Sequence, residues 1–438
     1  MTANIETTLA DENRNATIRR MGLVAGAIVI AILVRVAMFG HESFDYIVFF
    51  KRWYDFITAN GGFGALKHSF SDYNVPYLYL IAALTYPPIP ALAGIKTISV
   101  IFDLVLAFFT YRIVALRHTN RWVPSAAALV VLFLPTVATN SGLWGQADAI
   151  YAAFDVGGIY FVLRKRPWLA CVFFGLALAF KLQAIFVFPL LLVLALKKWL
   201  PWRALLAVPG VVLLLDIPAW VAGAPLKQLL SIYLQQTGSY PELSLRAPSI
   251  YQFLPANSSV ALFRPLGVLV TGLVVLGLIL AILFHRKQLT ATKIVLMATS
   301  SAILVPFLLP SMHERYFYLA EALTVVAAFY LPRRLWYVPV LLQAAIIPAY
   351  WEVLFPGGQS RGGMVMHGGP PNGQQAPPVV VGTPPPGTGQ GRVVGGQDMS
   401  SLYAPTTEFR ILATLMAIAL IAVLWTTVRE FRRDHQPA

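Results

Sequence analysis

Three ionisable side chains stand side by side in the stretch FLLPSMHERYFYLAEAL, where His313, Glu314 and Arg315 interrupt an apolar run that resumes at Tyr316. A guanidinium is planar and permanently charged, which suits a phosphate. An imidazole beside it is a second donor when protonated or in the right tautomer, and Glu314 can orient either. Further groups of this kind recur along the chain. GHESFDYIVFFKRWYDF holds Glu42, Asp45 and Asp55 beside Lys51, Arg52 and Trp53. A carboxylate there can deprotonate an acceptor hydroxyl; Asp45, flanked by Phe44 and Tyr46, is the candidate, while Glu42 and Asp55 read as solvated loop charges. In FSDYNVPYLYL, Asp72 and Tyr73 precede a Val-Pro step, and the plain reading of Asp72 is an N-terminal cap with a proline in the first turn. NSGLWGQADAIYAAF brings Trp144, Gln146 and Asp148 together. The amide and carboxylate can read sugar hydroxyls against an indole face, or Asp148 can simply complement a helix start. Arg246 in YPELSLRAPSIYQFLP and Lys181 in FKLQAIF are further candidate phosphate ligands.

Such groups need a scaffold, and composition names its class. Of 438 residues, 58% are hydrophobic and 12% charged, with a mean hydropathy of +0.68. Soluble domains carry about 25% charged residues. Apolar runs of the roughly 20 residues that cross a bilayer recur from Met21 to Val428. The expectation is an all-α polytopic bundle of about 11 to 13 membrane helices, since the alternating ~10-residue segments of a β-barrel are absent. The net charge of +14 sits in short clusters between apolar runs. It reads as orientation signals rather than as a nucleic-acid surface. The lone Cys171 excludes an intrachain disulfide framework and a Cys-based metal site; no metal or other cofactor is assigned. The first apolar run is long and lacks a cleavage pattern, so a retained helix over Met21–Phe39 is expected.

Placing every basic cluster on the cytoplasmic side gives a topology. The clusters are Arg19–Arg20, Arg112–Arg121, Arg164–Arg166, Lys197–Arg203, His285–Lys287, Arg333–Arg334 and Arg429–Arg433. YLYLIAALTYPPIPALAG is then an interfacial or re-entrant helix of the first outer loop, broken by Pro87, Pro88 and Pro90. Spans follow over Ile95–Leu116, Trp122–Thr139 and Asp148–Leu163, then a hairpin over Leu169–Leu196. Further spans are Ala204–Ala222, Val260–Phe284, Ala291–Leu309, Tyr316–Leu331, Leu335–Tyr350 and Phe409–Val428. Leu226–Gln236 reads as an amphipathic surface helix, and Asp103, Asp155, Lys181 and Asp216 should face the bundle interior or water. The domain reading is an N-terminal tail (1–20), a membrane bundle (21–350), an outer Gly/Pro/Gln-rich disordered loop (351–407, its core 356–401), a last membrane helix (408–428) and a tail (429–438). Nearly all the unusual polar groups fall on the outer side.

The ordered set of an acidic first outer loop, SDYNVPYLYL, WGQADAIYAAF, LALAFKLQAIFVFPLLL, APSIYQFLP and MHERYFYLAEAL resembles the GT-C glycosyltransferases. More closely, it is similar to bacterial relatives of the GPI-anchor mannosyltransferases. The resemblance runs from about Arg35 to Tyr350 and does not extend to 356–401. It implies an inverting hexosyltransferase of the bacterial inner membrane, working on the periplasmic face without a required metal. The donor would be a polyprenyl-phosphate sugar, with mannose the first guess, and the acceptor a lipid, glycan or protein. Asp45 would be the general base. His313, Arg315, Arg246 and Lys181 would hold the donor phosphate. Asp72, Tyr73, Trp144, Gln146, Asp148 and Glu314 would shape the sugar and acceptor pocket. Two other classes compete: a flippase for lipid-linked sugars, for which an inverted repeat is expected and none is seen, and a scaffold acting through the Gly/Pro/Gln loop.

Overall fold

The computed structural model describes residues 2–238, 242–285, 288–355 and 405–433. The 356–401 stretch and the basic pair Arg286–Lys287 lie outside the described residues. In chain order, α1 (Thr2–Ala37) leads through a π-helical turn (Tyr46–Phe50) into α2 (Lys51–Ala59), a 3-10 turn (Gly62–Lys67) and α3 (Val75–Leu84). Then come α4 (Ala91–Ala115), α5 (Trp122–Phe133), α6 (Pro135–Thr139), a second π-helical turn (Asn140–Trp144) and α7 (Asp148–Leu163). A hairpin follows, with α8 (Pro167–Phe180) joined by a 3-10 turn (Leu182–Val187) to α9 (Phe188–Leu196). Next are α10 (Trp202–Leu205), α11 (Ala207–Val221), α12 (Leu226–Gly238), α13 (Val260–Phe284) and α14 (Ala291–Leu308). The chain closes with α15 (Tyr318–Tyr330), α16 (Pro332–Leu335), α17 (Val338–Leu354) and α18 (Thr407–Arg432). The strands are β1 (Ser244–Leu245) and β2 (Met312–His313), paired in parallel with Ser244 opposite Met312 and Leu245 opposite His313.

This is the all-α polytopic bundle that the composition implies. Seven helices are long and apolar enough to cross a membrane, and eight if α5 and the segment from Pro135 to Trp144 count as one bent span. The bend, 51°, falls at Pro135, which has no N–H to continue the ladder. The span predicted over Trp122–Thr139 is therefore broken. The other predicted crossings are carried by shorter helices: α7 has 16 residues, α8 14 and α15 13. Helix ends also move outward from the sequence reading. α1 begins at Thr2 rather than Met21, α17 runs on to Leu354 and α18 to Arg432. α13 shows the lipid-facing pattern most plainly, with Leu262, Leu266, Leu269, Leu273, Leu276, Leu280 and Phe284 all exposed.

The basic clusters meet at one end of the bundle. Arg112 donates to Tyr160 Oη, His118 contacts Phe329 O, and Lys197 donates to His285 O. Lys165 lies over Trp199, Lys293 over Phe431, and Arg334 pairs with Glu430. A satisfied polar knot ties the interior. Arg35 Nε donates to Asp103 Oδ2 at 2.8 Å, and Ser141 and Tyr318 donate to the same carboxylate at 2.6 and 2.8 Å. Nη1 and Nη2 of Arg35 each donate to a backbone carbonyl, of Ala31 and Leu132. A fully partnered buried pair of this kind fixes register between helices rather than supplying chemistry.

Candidate active site

The residues singled out from the sequence converge on the end of the bundle opposite those clusters, and local structure explains how. α1 ends at Ala37, and the next carbonyls, of Met38, Phe39 and His41, accept from Nζ of the buried Lys96. A cation at a helix C-terminus satisfies both the orphan carbonyls and the dipole. Ser43 Oγ then donates to Trp144 O and accepts from Tyr46 N, fixing the entry to the first π-helical turn. Asp45 stands at its start.

Trp144 closes the second π-helical turn. Gly145 follows at φ +75°, a conformation that favours glycine, and its N–H returns to Asn140 O at 2.9 Å. The turn aims three groups. Trp144 Nε1 donates to Asp45 Oδ2 at 3.0 Å, Gln146 Nε2 donates to the same oxygen, and Asn140 Nδ2 donates to Asp148 Oδ2 at 2.9 Å. Single π turns of this type recur at functional sites because they re-aim side chains that a regular helix would hide.

Lys181, extended between α8 and the 3-10 turn, forms an ion pair with Asp148. Tyr73 lies under its ammonium, 5.7 Å from ring centre to Nζ, and points its hydroxyl at Gln146 Oε1, 3.4 Å away. Arg315 reaches the middle. Its Nη2 is 3.9 Å from Asp45 Oδ2, its Nε 3.9 Å from Asp148 Oδ2, and its Nη1 3.5 Å from Glu314 Oε1. The guanidinium stacks toward Trp144 and Tyr316 at 5.4 and 5.7 Å. Its Nε has no hydrogen-bond partner among the described residues, although it is buried.

Electrostatics sharpen the picture. Burial opposes the charge of Arg315, but Asp45, Glu314, Tyr316 and Asp148 outweigh it and hold its pKa well above the usual value. Burial, and then Arg315, push the His313 pKa down. The imidazole therefore stays neutral, and any donor role rests on its tautomer. Glu314 Oε2 lies 3.9 Å from His313 Nδ1. Glu314 is thus set between His313 and Arg315, as an orienting group would be.

The other sequence candidates have the following surroundings. Asp148, expected to read sugar hydroxyls, is fully buried and taken up by Lys181 and Asn140. Lys181 is likewise committed to Asp148. Arg246 lies beside His313 through a backbone bridge, but its Nη1 is engaged by Glu352 Oε2 at 2.7 Å, and its backbone sits at φ +60°. Asp72 does not cap α3. Asn74 occupies the cap position, with no side-chain cap bond, and Asp72 is exposed at the rim. Asp55 forms an exposed pair with Lys51 at 2.7 Å, as a solvated loop charge would. Sequence reasoning missed Lys96, Arg35, Asn140 and Glu352. The first two carry a readable signal, a cation within an apolar run; the others carry none. Among the described residues, no three His, Cys, Asp or Glu side chains gather as a metal-holding group.

The profile of glycosyltransferase family 87 matches residues 70–311, more than half of the chain. The chain belongs to glycosyltransferase family 87. This family 87 member is thus a membrane glycosyltransferase, whose substrates are a sugar donor and an acceptor. No curated protein matches it. The matched span contains Asp72, Tyr73, Trp144, Gln146, Asp148, Lys181 and Arg246, whereas Asp45, His313, Glu314 and Arg315 lie beyond its ends. The fold folds these outlying residues back onto the family segment: the pairs Asp45–Trp144 and Arg315–Asp148 each cross that boundary.

Proposed function

We propose that the protein transfers a hexose, mannose first, from a polyprenyl-phosphate donor to a lipid, glycan or protein acceptor, with inversion, on the non-cytoplasmic face. The observation that carries this reading is Arg315. It is mostly enclosed among three carboxylates, yet at 3.5 to 3.9 Å it is too far from them for direct hydrogen bonds, and its buried Nε is unpartnered among the described residues. A guanidinium so held keeps donors for a phosphate while its neighbours fix its plane.

The chemistry follows from the groups around it. The acceptor hydroxyl gives its proton to Asp45, whose Oδ2 is oriented by Trp144 and Gln146. The oxygen attacks the anomeric carbon as the bond to the donor phosphate breaks. The leaving group departs as a phosphate monoester, already a stable anion, so it needs positive donors rather than an acid. Arg315 supplies them, and Lys181 adds charge from behind Asp148. Asp148 is fully buried and held by Lys181 and Asn140, which withdraws it as a nucleophile and supports single displacement. The basic clusters at the opposite end support a cytoplasmic location for that end and a periplasmic site in the bacterial inner membrane.

The test is direct. Purified protein in nanodiscs is given polyprenyl-phosphate mannose or glucose with envelope lipids, glycans or peptides, and transfer is followed by mass spectrometry. Transfer from at least one such donor, abolished in Asp45→Asn, is expected. No transfer from any polyprenyl-phosphate hexose, or unchanged transfer in Asp45→Asn, would sink the reading.

A further inference from the structure

α12 packs against α11, and a cavity of mixed polar and apolar lining lies beneath it. Gly223, at φ +110°, turns the chain out of α11. Two glutamines then pin α12 to the outer loop. Gln228 Oε1 accepts from Ser69 Oγ, and Gln236 Nε2 donates to Asp72 O and Asn74 Oδ1 at 2.8 and 2.9 Å. Leu229 and Ile232 turn inward, while Leu226, Leu230 and Leu234 stay exposed. The cavity below has a volume of about 30 Å³; apolar side chains form much of its wall, and its polar lining includes His68, Tyr73, Asn74, Gln228 and Tyr233, with Asp216 of α11.

Asp216 is the group that needs an explanation. Its residue is 8% exposed, it lies on a membrane helix, and no hydrogen bond or ion pair joins its carboxylate to a described residue. Its oxygens are not sealed off as those of Asp155 are, so on a membrane helix they must be served from the cavity, by water or by a ligand. Asp103, also on a membrane helix, has Arg35, Ser141 and Tyr318 as partners. Asp155 also lacks hydrogen-bond partners, but it is wholly enclosed and lines no such cavity. The other polar groups here already have protein partners: Tyr233 Oη donates to Leu178 O, and Asn74 Nδ2 donates to the same carbonyl. Asp216 is thus the acceptor left over, and it faces the cavity.

We infer that this cavity is a subsite for a hydroxyl-bearing edge of a sugar, with Asp216 accepting from it. A carboxylate with amide and phenol neighbours and tyrosine faces is the chemistry that reads a polyol. Size limits the ligand: at about 10–15 Å³ per water-sized group, two oxygens fit and a whole hexose ring does not. A vicinal diol or a hydroxymethyl group matches. The location says which sugar. Tyr73 lines the cavity, and its hydroxyl reaches Gln146, which holds Asp45. Tyr73 is therefore the wall between the subsite and the general-base side of the centre, where the acceptor must lie, and the subsite takes an acceptor sugar beside the reacting hydroxyl. This assignment to the acceptor rests on the transferase reading above.

The test uses the full chain in nanodiscs, with methyl α-mannoside and methyl α-glucoside as probes, read by saturation-transfer NMR. Binding should weaken about tenfold in Asp216→Asn, because a charged hydrogen-bond acceptor is lost, and should persist in Asp45→Asn. In turnover assays, Asp216→Asn should raise the acceptor KM by a similar factor with little change in kcat. Asp216→Leu should lose binding and raise the Tm, since a costly buried carboxylate has gone. If both variants bind the hexosides as the wild type does, the subsite is wrong, whatever the enzyme transfers. If the wild type transfers nothing but hexoside binding still depends on Asp216, the transferase reading fails and the polyol site stands.

Discussion

The guanidinium of Arg315 stands 3.9 Å from Oδ2 of Asp45, inside the range of charge attraction and outside that of a hydrogen bond. The two groups are coupled without using each other up. In the proposed mechanism, Asp45 keeps a lone pair for an acceptor proton, and Arg315 keeps N–H groups for a leaving anion. A direct bidentate pair would have spent both.

Asp45→Asn is expected to lower kcat about 10²–10⁴-fold, the usual worth of a positioned general base. The amide still accepts from Trp144 through its oxygen, so donor binding and Tm should stay near wild type. Single-turnover assays with pre-bound donor measure the chemical step. Residual turnover within threefold of wild type (well inside that ~10² lower bound) would reassign the base.

Arg315→Ala should cost about 10²–10³ in kcat through lost stabilisation of the leaving phosphate. Arg315→Lys should recover little, because a lysine is a point charge without the planar fork. Comparing the two separates geometry from charge: a fully active lysine variant would mean that charge alone suffices.

Asp148→Asn strands Lys181 as a buried cation, and breaking such a pair costs roughly 3–5 kcal/mol of stability. Adding Lys181→Met should restore much of the Tm, since removing both charges is often neutral. Turnover should not return with it, because Arg315 loses a neighbour that fixes its plane. A double variant that regains both would make the pair purely structural.

His313 predicts a pH effect with a definite sign. Its folded pKa is lowered below the ordinary 6.5 by burial and by Arg315. Above 6.5 neither folded nor unfolded imidazole carries a proton, and the contribution is intact. As the pH falls below 6.5, the unfolded chain takes up a proton that the folded chain refuses, so stability declines until the folded pKa is reached. The Tm of the wild type should therefore drop on acidification through this window more than that of His313→Gln. Parallel Tm–pH curves would show that His313 is not the titrating group.

The convergence of Asp45, Trp144, Gln146 and Arg315 was legible because polar side chains stand out in an apolar chain, and the basic clusters say at which end they emerge. What each of them touches was not legible. Asp148 and Asn140 are eight residues apart and meet only because a π turn and a left-handed Gly145 intervene. Lys181 lies 33 positions from Asp148, and only the α8–α9 hairpin brings it there. Lys96 and Arg35 look alike in sequence, each a lone cation in an apolar run. One caps α1 through three carbonyls, and the other is locked to Asp103. That difference lies in which helix ends are neighbours, information that no local pattern holds. Asp72 was read as a cap from its spacing to Pro76, but the chain bends later and gives the position to Asn74.

The 14 residues of α8 between the basic end and Lys181 rise only about 21 Å, against a hydrocarbon thickness of about 30 Å. The hairpin carries basic clusters at both ends, so either Lys181 sits below the outer edge of the hydrocarbon or the bilayer thins over it, at a cost of a fraction of a kcal/mol per ångström. With the donor proposed above, a lipid-anchored phosphate then meets Arg315 without being pulled out of its leaflet. Acyl-chain length becomes a control on turnover, because thicker membranes lift the head group away from the guanidinium that awaits it.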